Sequence, residues 1–178
     1  MTPRVVLVGL PGTGKSTTGR RLAKILAVPF ADSDELVESA TGKSVRALFD
    51  AGEDAFRDIE AAAIETALHT FDGVLALGGG ALNRVATRDA LRDSGVPVVL
   101  LKAAVPVLVE RVGDAASRPL LAGDPTLRLT ELAHEREETY ASVASWSVDT
   151  DGWTPGQAAA HIAARLHDQR TARTRGRS

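Results

Sequence analysis

The sequence has no cysteine among its 178 residues, so disulfide bonds and thiolate metal sites are excluded. Lack of cysteine is typical of proteins in a reducing compartment, and we expect a cytoplasmic protein. The first ten residues carry one arginine and a short apolar run that leads directly into a glycine-rich loop. A cleaved signal peptide would destroy that loop, which also favours the cytoplasm.

The sequence also has few aromatic residues and a small net charge. The two Trp and one Tyr are too few for a platform that stacks single-stranded nucleic acid, and a formal net charge of -2 gives no broad attraction for a polyanion. The longest apolar stretch, residues 96–109, is broken by Pro97, Lys102 and Pro106, so no run reaches the roughly 18 residues of a membrane helix. We therefore predict neither nucleic acid nor a membrane as a partner.

The length is that of one domain. Five strand-like runs, at 5–8, 28–30, 74–77, 98–101 and 146–148, alternate with segments of helical periodicity, which predicts an α/β fold with a parallel sheet flanked by helices. Thr154 and Pro155 predict the start of a last helix that closes the domain near Leu166. We assign residues 1–167 to this domain.

Residues 168–178 differ in composition from the rest of the chain. They carry four arginines, one aspartate and a single apolar residue, Ala172. Such a segment buries too little apolar surface to offset the entropy of ordering, which predicts a basic, disordered tail. Binding of nucleic acid or of a protein partner is the alternative for this tail.

The run GLPGTGKS at residues 9–16 matches every fixed position of the phosphate-binding pattern G-x-x-x-x-G-K-[ST]. Its glycines let successive N–H groups face one anion, and the following helix directs its positive end to the same point. We expect Lys15 to reach the β- and γ-phosphates and Ser16 to ligate Mg²⁺. A plain glycine turn is the alternative, but the predicted strand and helix on either side favour binding of a nucleoside triphosphate.

Two further segments follow predicted strands, where α/β sheets bind ligands. Asp32 and Asp34 come after the second strand; one carboxylate would hold a water of the Mg²⁺ shell and the other would accept a hydrogen bond from a substrate hydroxyl. Helix capping is the alternative, with Ser33 or Asp34 as the cap of a helix over 35–39. The glycines at 78–80 follow the third strand and offer main-chain N–H donors, or form a flexible turn.

Three arginines are candidates for anion contacts. Arg118 lies among small residues and glycines at 113–124, a pattern that suggests a mobile lid whose arginine stabilises charge during phosphoryl transfer. Arg57 and Arg136 lie on predicted helices beside acidic residues. From the pattern alone, surface ion pairs are the simpler interpretation of both.

In combination, these motifs resemble the shikimate kinase family. They are, in chain order, GLPGTGKST at 9–17, DSD at 32–34, FR at 56–57 with Glu60, LGGGA at 77–81, RPLL at 118–121, and Arg136 followed by Tyr140. The resemblance spans roughly residues 4–166, and its specificity lies in the combination, because the phosphate loop alone is shared by many unrelated families.

The resemblance implies a three-layer P-loop kinase fold with a five-stranded parallel sheet and a mobile lid. It also implies transfer of the γ-phosphoryl group of ATP to the 3-hydroxyl of shikimate with Mg²⁺, in the pathway to chorismate and aromatic amino acids. ATP and shikimate are the implied partners, and we expect a monomer.

Residue roles are also implied by the resemblance. The ATP site would comprise Gly12, Thr13, Gly14, Lys15, Ser16, Thr17, Arg111, Arg118 and Pro155, with Arg111 and Pro155 at the adenine. The shikimate site would comprise Asp34, Phe49, Phe56, Arg57, Glu60, Gly79, Pro119 and Arg136, with Leu120 as a further wall. Arg57 and Arg136 would grip the carboxylate, Glu60 would orient Arg57, and Gly79 would donate its N–H. Lys15, Asp34 and Arg118 would be catalytic, and Ser16 and, through water, Asp32 would hold the metal.

Two positions depart from the usual pattern. Gly152 and Trp153 stand where family members often carry a basic residue beside the adenine; Trp153 either stacks on the base or covers the helix end. The segment 137–139 lacks the usual proline before Tyr140, which puts the local backbone geometry in question. A gluconate kinase, an adenylate-kinase-like enzyme and a nucleotide-binding module without catalysis remain the alternative functions.

Overall fold

The computed structural model describes residues 1–112 and 124–175. Within these ranges five strands form one parallel sheet in the order β2-β3-β1-β4-β5. The strands are β1 (Val5–Val8), β2 (Phe30–Asp32), β3 (Val74–Ala76), β4 (Val98–Lys102) and β5 (Trp146–Asp149). The predicted fold class is confirmed, and β2 begins at Phe30, two residues later than the sequence predicted.

The helices alternate with these strands. They are α1 (Lys15–Leu26), α2 (Ser33–Thr41), α3 (Val45–Ala51), α4 (Glu53–Thr70), α5 (Val85–Ser94), α6 (Val105–Val112), α7 (Pro125–Val143) and α8 (Pro155–Arg175), with a 3₁₀ turn at Ala81–Asn83. None of the helices in the described ranges combines the length and hydropathy that crossing a membrane requires.

The three layers follow from alternation of side chains along the strands. Val5 and Leu7 of β1 face α1 and α8, where Leu22 and Ile162 complete the packing. Neighbouring residues on the same strand face the other layer, which is built mainly from α4, α5 and α7. Both faces of β1 are therefore buried, as in sheets covered by helices on both sides.

A smaller apolar cluster lies beside the sheet. Val37, Leu48 and Phe56 bring together α2, α3 and α4, and Phe49 packs on its edge. This cluster forms a separate wall at the carboxyl ends of β2 and β3, and it positions α2 and α4 around one cavity.

The last helix differs from its predicted extent. Thr154 Oγ1 accepts a hydrogen bond from the Gln157 N–H at 3.3 Å and Pro155 is the first helical residue, so the predicted start is confirmed. The helix continues to Arg175, however, whereas we predicted an end near Leu166 and a disordered tail from 168. Residues 168–175 include three arginines, one alanine and one glutamine, whose helix propensity favours continuing an existing helix.

Candidate active site

The phosphate loop connects β1 to α1 at the centre of the sheet. Gly14, the residue before α1, has φ +84° and provides no side-chain cap, so the first N–H groups of the helix point into the loop unpaired by a capping side chain. Gly9 has φ +147°, and a Cβ there would collide with the main-chain oxygen of Leu101 in β4. The glycines thus allow a close turn around an anion-binding point at a helix N-terminus.

Polar side chains of this loop are held by short contacts. Lys15 Nζ donates to the main-chain oxygens of Gly9 at 2.8 Å and Leu10 at 3.0 Å. Ser16 Oγ donates to Asp32 Oδ2 at 2.6 Å. The ammonium of Lys15 therefore lies over the loop, and the hydroxyl of Ser16 is joined to the carboxylate that follows β2.

A cavity of about 390 Å³ opens on one side of the phosphate loop. Its lining includes residues 12–18 of the loop and α1, together with Arg111, Thr150, Trp153, Thr154, Pro155 and Ala158. Arg111 is fixed there by two hydrogen bonds to Thr150, from Nη1 to Oγ1 at 2.9 Å and from Nη2 to the main-chain oxygen at 2.8 Å. The structure thus brings every described residue of the predicted ATP site to one cavity.

Trp153 lies on the wall of this same cavity, with 39% of its surface exposed. Its indole also packs edge-on against His161 of α8, with ring centroids 5.3 Å apart. The side chain therefore covers the start of α8 and presents an aromatic surface to the cavity at once. Thr150, which sequence reasoning missed, is buried and holds Arg111 at this cavity.

A second cavity, of about 450 Å³, opens on the other side of the loop between β2, β3 and the helices α2 to α4. Its lining includes Asp32, Asp34, Phe49, Phe56, Arg57, Glu60 and the glycines 78–80, all named by the sequence analysis, and also Glu38, Ser44, Val45 and Arg46, which were missed. The last four follow the DSD motif in a segment where no pattern distinguished them. Lys15 and Ser16 line both cavities.

Asp32 and Asp34 have different local roles. Asp32 is the N-cap of α2, and its Oδ1 accepts from the Asp34 N–H at 3.2 Å. The predicted caps, Ser33 and Asp34, are instead the first two residues of the helix, and Asp32 also contacts Ser16. Asp34 is half-buried in the second cavity, and burial, followed by the neighbouring Asp32 carboxylate, raises the pKa of its carboxyl. A carboxylate whose proton affinity is increased in this way is suited to accept a proton from a bound hydroxyl.

Arg57 and Glu60 form a buried pair rather than a surface ion pair. Arg57 is 5% exposed, and its Nη1 donates to Glu60 Oε2 at 2.6 Å. Its guanidinium also lies 5.0 Å from the centroid of the Phe56 ring. Burial raises the pKa of the Glu60 carboxyl, although the Arg57 charge opposes that shift.

This pair leaves polar atoms unpaired at the second cavity. Within the described residues, Arg57 Nε and Glu60 Oε1 are buried without a hydrogen-bond partner. A Cβ on Gly78 would lie 2.7 Å from Glu60 Oε1 and 2.9 Å from Asp34 Oδ1, so a side chain here would displace these carboxylates. Unpaired buried donors and acceptors are costly, and a polar ligand in the cavity would satisfy them.

Arg136 also lies inside the molecule, at 6% exposure on α7. Its Nη1 donates to the main-chain oxygen of Gly79 at 2.5 Å, and the hydroxyl of Tyr140 donates to the same oxygen at 2.8 Å. Burial raises the pKa of Tyr140, which keeps the phenol protonated as a donor. The helix is continuous through 137–139, so the missing proline does not disturb the placement of Arg136.

The remaining predicted residues, Arg118, Pro119 and Leu120, lie outside the described residues, as does the predicted lid around them. Ser33, which the sequence offered only as a helix cap, has a different contact. It is fully buried at the start of α2, and its Oγ accepts from the Gly78 N–H at 2.8 Å. No pattern in the sequence predicted this contact with the glycine loop.

The residues present suit a magnesium ion. Ser16 and Asp32 are oxygen donors beside the phosphate loop, and hard oxygen ligands are those that Mg²⁺ prefers. Among the described residues no group of three or more His, Cys, Asp or Glu side chains is placed to hold a metal. This fits an ion that is held by one or two protein oxygens and by substrate phosphates.

The sheet order, the loop after β1 and the two cavities beside it place the chain among the P-loop kinases of small molecules. Residues 11–167 match the family model described as shikimate kinase, and the chain belongs to the shikimate kinase family. A shikimate kinase of Salinispora tropica is 50% identical over 167 residues, which cover 93% of this chain and 99% of that protein.

Two further relatives agree with this assignment. A shikimate kinase of Mycobacterium tuberculosis is 45% identical over 168 residues, covering 93% of this chain and 94% of the relative. Among solved structures, the shikimate kinase from Acinetobacter baumannii in complex with shikimate superimposes with a TM-score of 0.88 at 31% identity, over 95% of this chain and 94% of that one. The resemblance of the motifs to this family is thereby confirmed.

Proposed function

We propose that the chain transfers the γ-phosphoryl group of ATP to the 3-hydroxyl of shikimate, giving shikimate 3-phosphate and ADP, in the pathway to chorismate and aromatic amino acids. The observation that carries this proposal is the pair of cavities that share Lys15 and Ser16. A donor and an acceptor bound in these cavities meet at the cation and hydroxyl that phosphoryl transfer requires.

ATP occupies the cavity beside the phosphate loop. The N–H groups at residues 12–17 bind its phosphates, and Lys15 moves from the loop carbonyls to the β- and γ-phosphates. Arg111, held by Thr150, and Pro155 line the adenine, and Trp153 contributes its exposed face to the base.

Shikimate occupies the second cavity, with its carboxylate toward the arginines. Arg57 offers the unpaired Nε donor, Glu60 fixes the orientation of its guanidinium, and Arg136 turns from Gly79 to complete the grip. Phe49 and Phe56 form the apolar wall, and the Gly79 N–H donates to a ring hydroxyl. A carboxylate held in its plane by two guanidinium groups places the distant hydroxyl at Lys15.

The transfer exchanges one phosphorus–oxygen bond for another. The 3-hydroxyl oxygen bonds to the γ-phosphorus, the bond from that phosphorus to the β-phosphate oxygen breaks, and ADP takes the electron pair. The hydroxyl proton passes to the Asp34 carboxylate, which then releases it to water. Lys15 and, from the segment outside the described residues, Arg118 stabilise the charge on the transferring group, while Pro119 and Leu120 close the apolar wall.

Ser16, and Asp32 through a water molecule, would hold a Mg²⁺ ion, which when bound neutralises phosphate charge. The hydrogen bond between these two side chains keeps both oxygens at the phosphate loop. The proposal also includes a monomeric protein in the cytoplasm, as the sequence analysis predicted.

The direct test is the release of ADP from ATP and Mg²⁺ with shikimate, gluconate, AMP or no acceptor in parallel reactions. We expect release only with shikimate. Release with gluconate or AMP instead would keep the phosphate site but contradict the assignment of Arg57 and Arg136 to a carboxylate. ATP binding without release for any acceptor would favour the non-catalytic alternative.

A further inference from the structure

The main chain of the glycine loop, residues 78–80, is held by side chains from two helices that are distant in sequence. From α2, Ser33 Oγ accepts from the Gly78 N–H at 2.8 Å. From α7, the hydroxyl of Tyr140 donates to the Gly79 main-chain oxygen at 2.8 Å. Ser33 is fully buried and Tyr140 is 5% exposed, so both side chains are held inside the molecule.

These contacts hold in place a segment whose backbone has unusual conformational freedom. Three consecutive glycines lose more conformational entropy on ordering than any other tripeptide, and no side chain of their own can restrain them. The Gly78 main-chain oxygen accepts from the Ala81 N–H at 3.1 Å. Within the described residues the Gly79 N–H has no hydrogen-bond acceptor, and Gly79 lines the second cavity. The anchored loop thus keeps the Gly79 N–H available for a ligand.

The Gly79 main-chain oxygen receives a second donor, Arg136 Nη1, at 2.5 Å. The proposed function requires this guanidinium to turn toward the substrate carboxylate. The Gly79 carbonyl would then lose one of its two hydrogen-bond donors. Tyr140 lies four residues later on α7 and retains the second hydrogen bond. The loop can therefore stay in place while Arg136 changes partner.

We infer that Ser33 and Tyr140 are positioning residues for the acceptor: they hold Gly78 and Gly79 so that the loop keeps its shape when Arg136 binds the substrate. The inference rests on the proposed function, because it takes shikimate as the ligand of the second cavity. Neither side chain is assigned a contact with the substrate, since both act through the main chain of the loop.

The test compares Tyr140→Phe and Ser33→Ala with the wild-type chain. Each variant removes one hydrogen bond of typical strength, so we expect the Kd and KM for shikimate to rise about fivefold or more, with the KM for ATP changed less than twofold. A merely structural role would lower Tm and leave the KM for shikimate unchanged. Thr87→Val is the matched control, because Thr87 Oγ1 is a buried hydroxyl without a partner in the described part of the chain.

A spectroscopic measurement makes the test independent of turnover. Tyr140 is the single tyrosine of the chain, so 3-fluorotyrosine gives one ¹⁹F resonance. We expect shikimate to shift this resonance, because Arg136 leaves the oxygen that the phenol also contacts, and ADP to shift it much less.

The outcomes distinguish a failure of the positioning role of Ser33 and Tyr140 from a failure of the proposed function. If wild-type chain binds shikimate but Tyr140→Phe binds it equally well and the ¹⁹F signal does not move, the inference is overturned and the proposed function stands. If wild-type chain binds no shikimate, both are overturned. If Ser33→Ala fails to fold, Tyr140→Phe decides the matter, because it keeps the ring and its packing.

Discussion

At the residue scale, the site depends on a few charged groups whose surroundings set their chemistry. Lys15 donates to two loop carbonyls, Asp34 lies near a second carboxylate, and Arg57 pairs with Glu60 inside the molecule. Each of these contacts can be removed by a single substitution, and the expected consequences differ in kind.

Lys15→Met removes the cation that both cavities share. Because the charge would stabilise the transferring phosphoryl group, we expect kcat to fall at least 100-fold while the KM for shikimate changes little. Steady-state ADP release with both substrates measures this. Lys102→Met, which changes an exposed lysine at the end of β4, is the control. A variant that keeps most of the wild-type kcat would show that the phosphate site is misplaced.

Asp34→Asn tests whether the Asp34 carboxylate lowers the stability of the folded chain while being needed for activity. Burial and Asp32 raise the pKa of Asp34, so the folded chain binds this proton more tightly than the unfolded chain does. The resulting stability is present below the ordinary aspartate pKa and is lost as pH rises through the raised value. We therefore expect Asp34→Asn to have a higher Tm than wild type at pH 7 and to lose at least 100-fold in kcat.

The pH dependence provides the check on Asp34. The Tm difference between wild type and Asp34→Asn should shrink as pH falls toward 4, because the wild-type carboxyl becomes neutral. Asp50→Asn, which changes an exposed carboxylate on α3, is the control and should show no such trend. A Tm difference that is constant from pH 4 to pH 8 would contradict the role of burial.

The site residues that could be predicted from the sequence are those that belong to short motifs with fixed spacing. The residues of the phosphate loop and of the DSD motif each lie within a few positions of one another, so both motifs can be recognised from the sequence alone. Ser33 contacts a residue 45 positions away and Tyr140 one 61 positions away. Such contacts depend on how α2 and α7 pack on the sheet, which no local pattern encodes.

At the element scale, the strands were predictable because both faces of a covered parallel sheet give continuous apolar runs. The packing of α4 was less so. Helical periodicity over residues 55–68 predicts that a stripe of Phe56, Ile59, Ala63 and Ala67 packs on the sheet. Of these four, Ala67 does so, beside Ile64 and Leu68. The other three lie in the cluster with Val37 and Leu48 instead. One helix that contacts two clusters has two buried faces, and a single periodic stripe cannot represent both.

The last helix allows a test at this scale. Ala158, Ala159, Ile162 and Leu166 form its buried face, while the described side chains after Leu166 are exposed or half-buried. Truncation after Asp168 should therefore leave kcat unchanged and Tm within about 2 °C of wild type, by the ordinary cost of removing surface residues. Truncation after Arg165 removes Leu166 and should lower Tm by about 5–15 °C. Equal destabilisation by both truncations, measured by calorimetry, would show that residues 169–175 pack on the domain.

At the scale of the whole molecule, the strand order brings five chain segments to one edge of the sheet. The loops after β1, β2 and β3 and the end of α6 are four of them, and the segment after β5 is a fifth; they are far apart in sequence, but the carboxyl ends of parallel strands meet there. The class of fold predicted this convergence. The division into two cavities that share Lys15 and Ser16 was not predictable, because it depends on the volumes left between packed helices.

The two cavities should act as separable binding sites, and ligand-dependent stability can show this. A ligand at 100 times its Kd stabilises a folded chain by about 2.7 kcal/mol, which raises Tm by several degrees for a chain of this size. We expect Arg136→Ala to lose most of the Tm increase produced by shikimate and to keep that produced by ATP. Lys15→Met should do the opposite, because its charge contacts the nucleotide phosphates.

Each variant thus serves as the matched control for the other, and the unliganded Tm of both corrects for any change in intrinsic stability. Removing Arg136 leaves Gly79 O with its Tyr140 hydrogen bond, so the glycine loop should remain folded and the nucleotide cavity intact. Loss of both ligand effects in both variants would contradict separable sites, since binding in one cavity would then depend on the other. If Arg136→Ala loses only the Tm increase from shikimate and Lys15→Met only that from ATP, Arg136 binds the substrate carboxylate and Lys15 binds the nucleotide phosphates. The two residues then serve the acceptor and the donor of the same phosphoryl transfer.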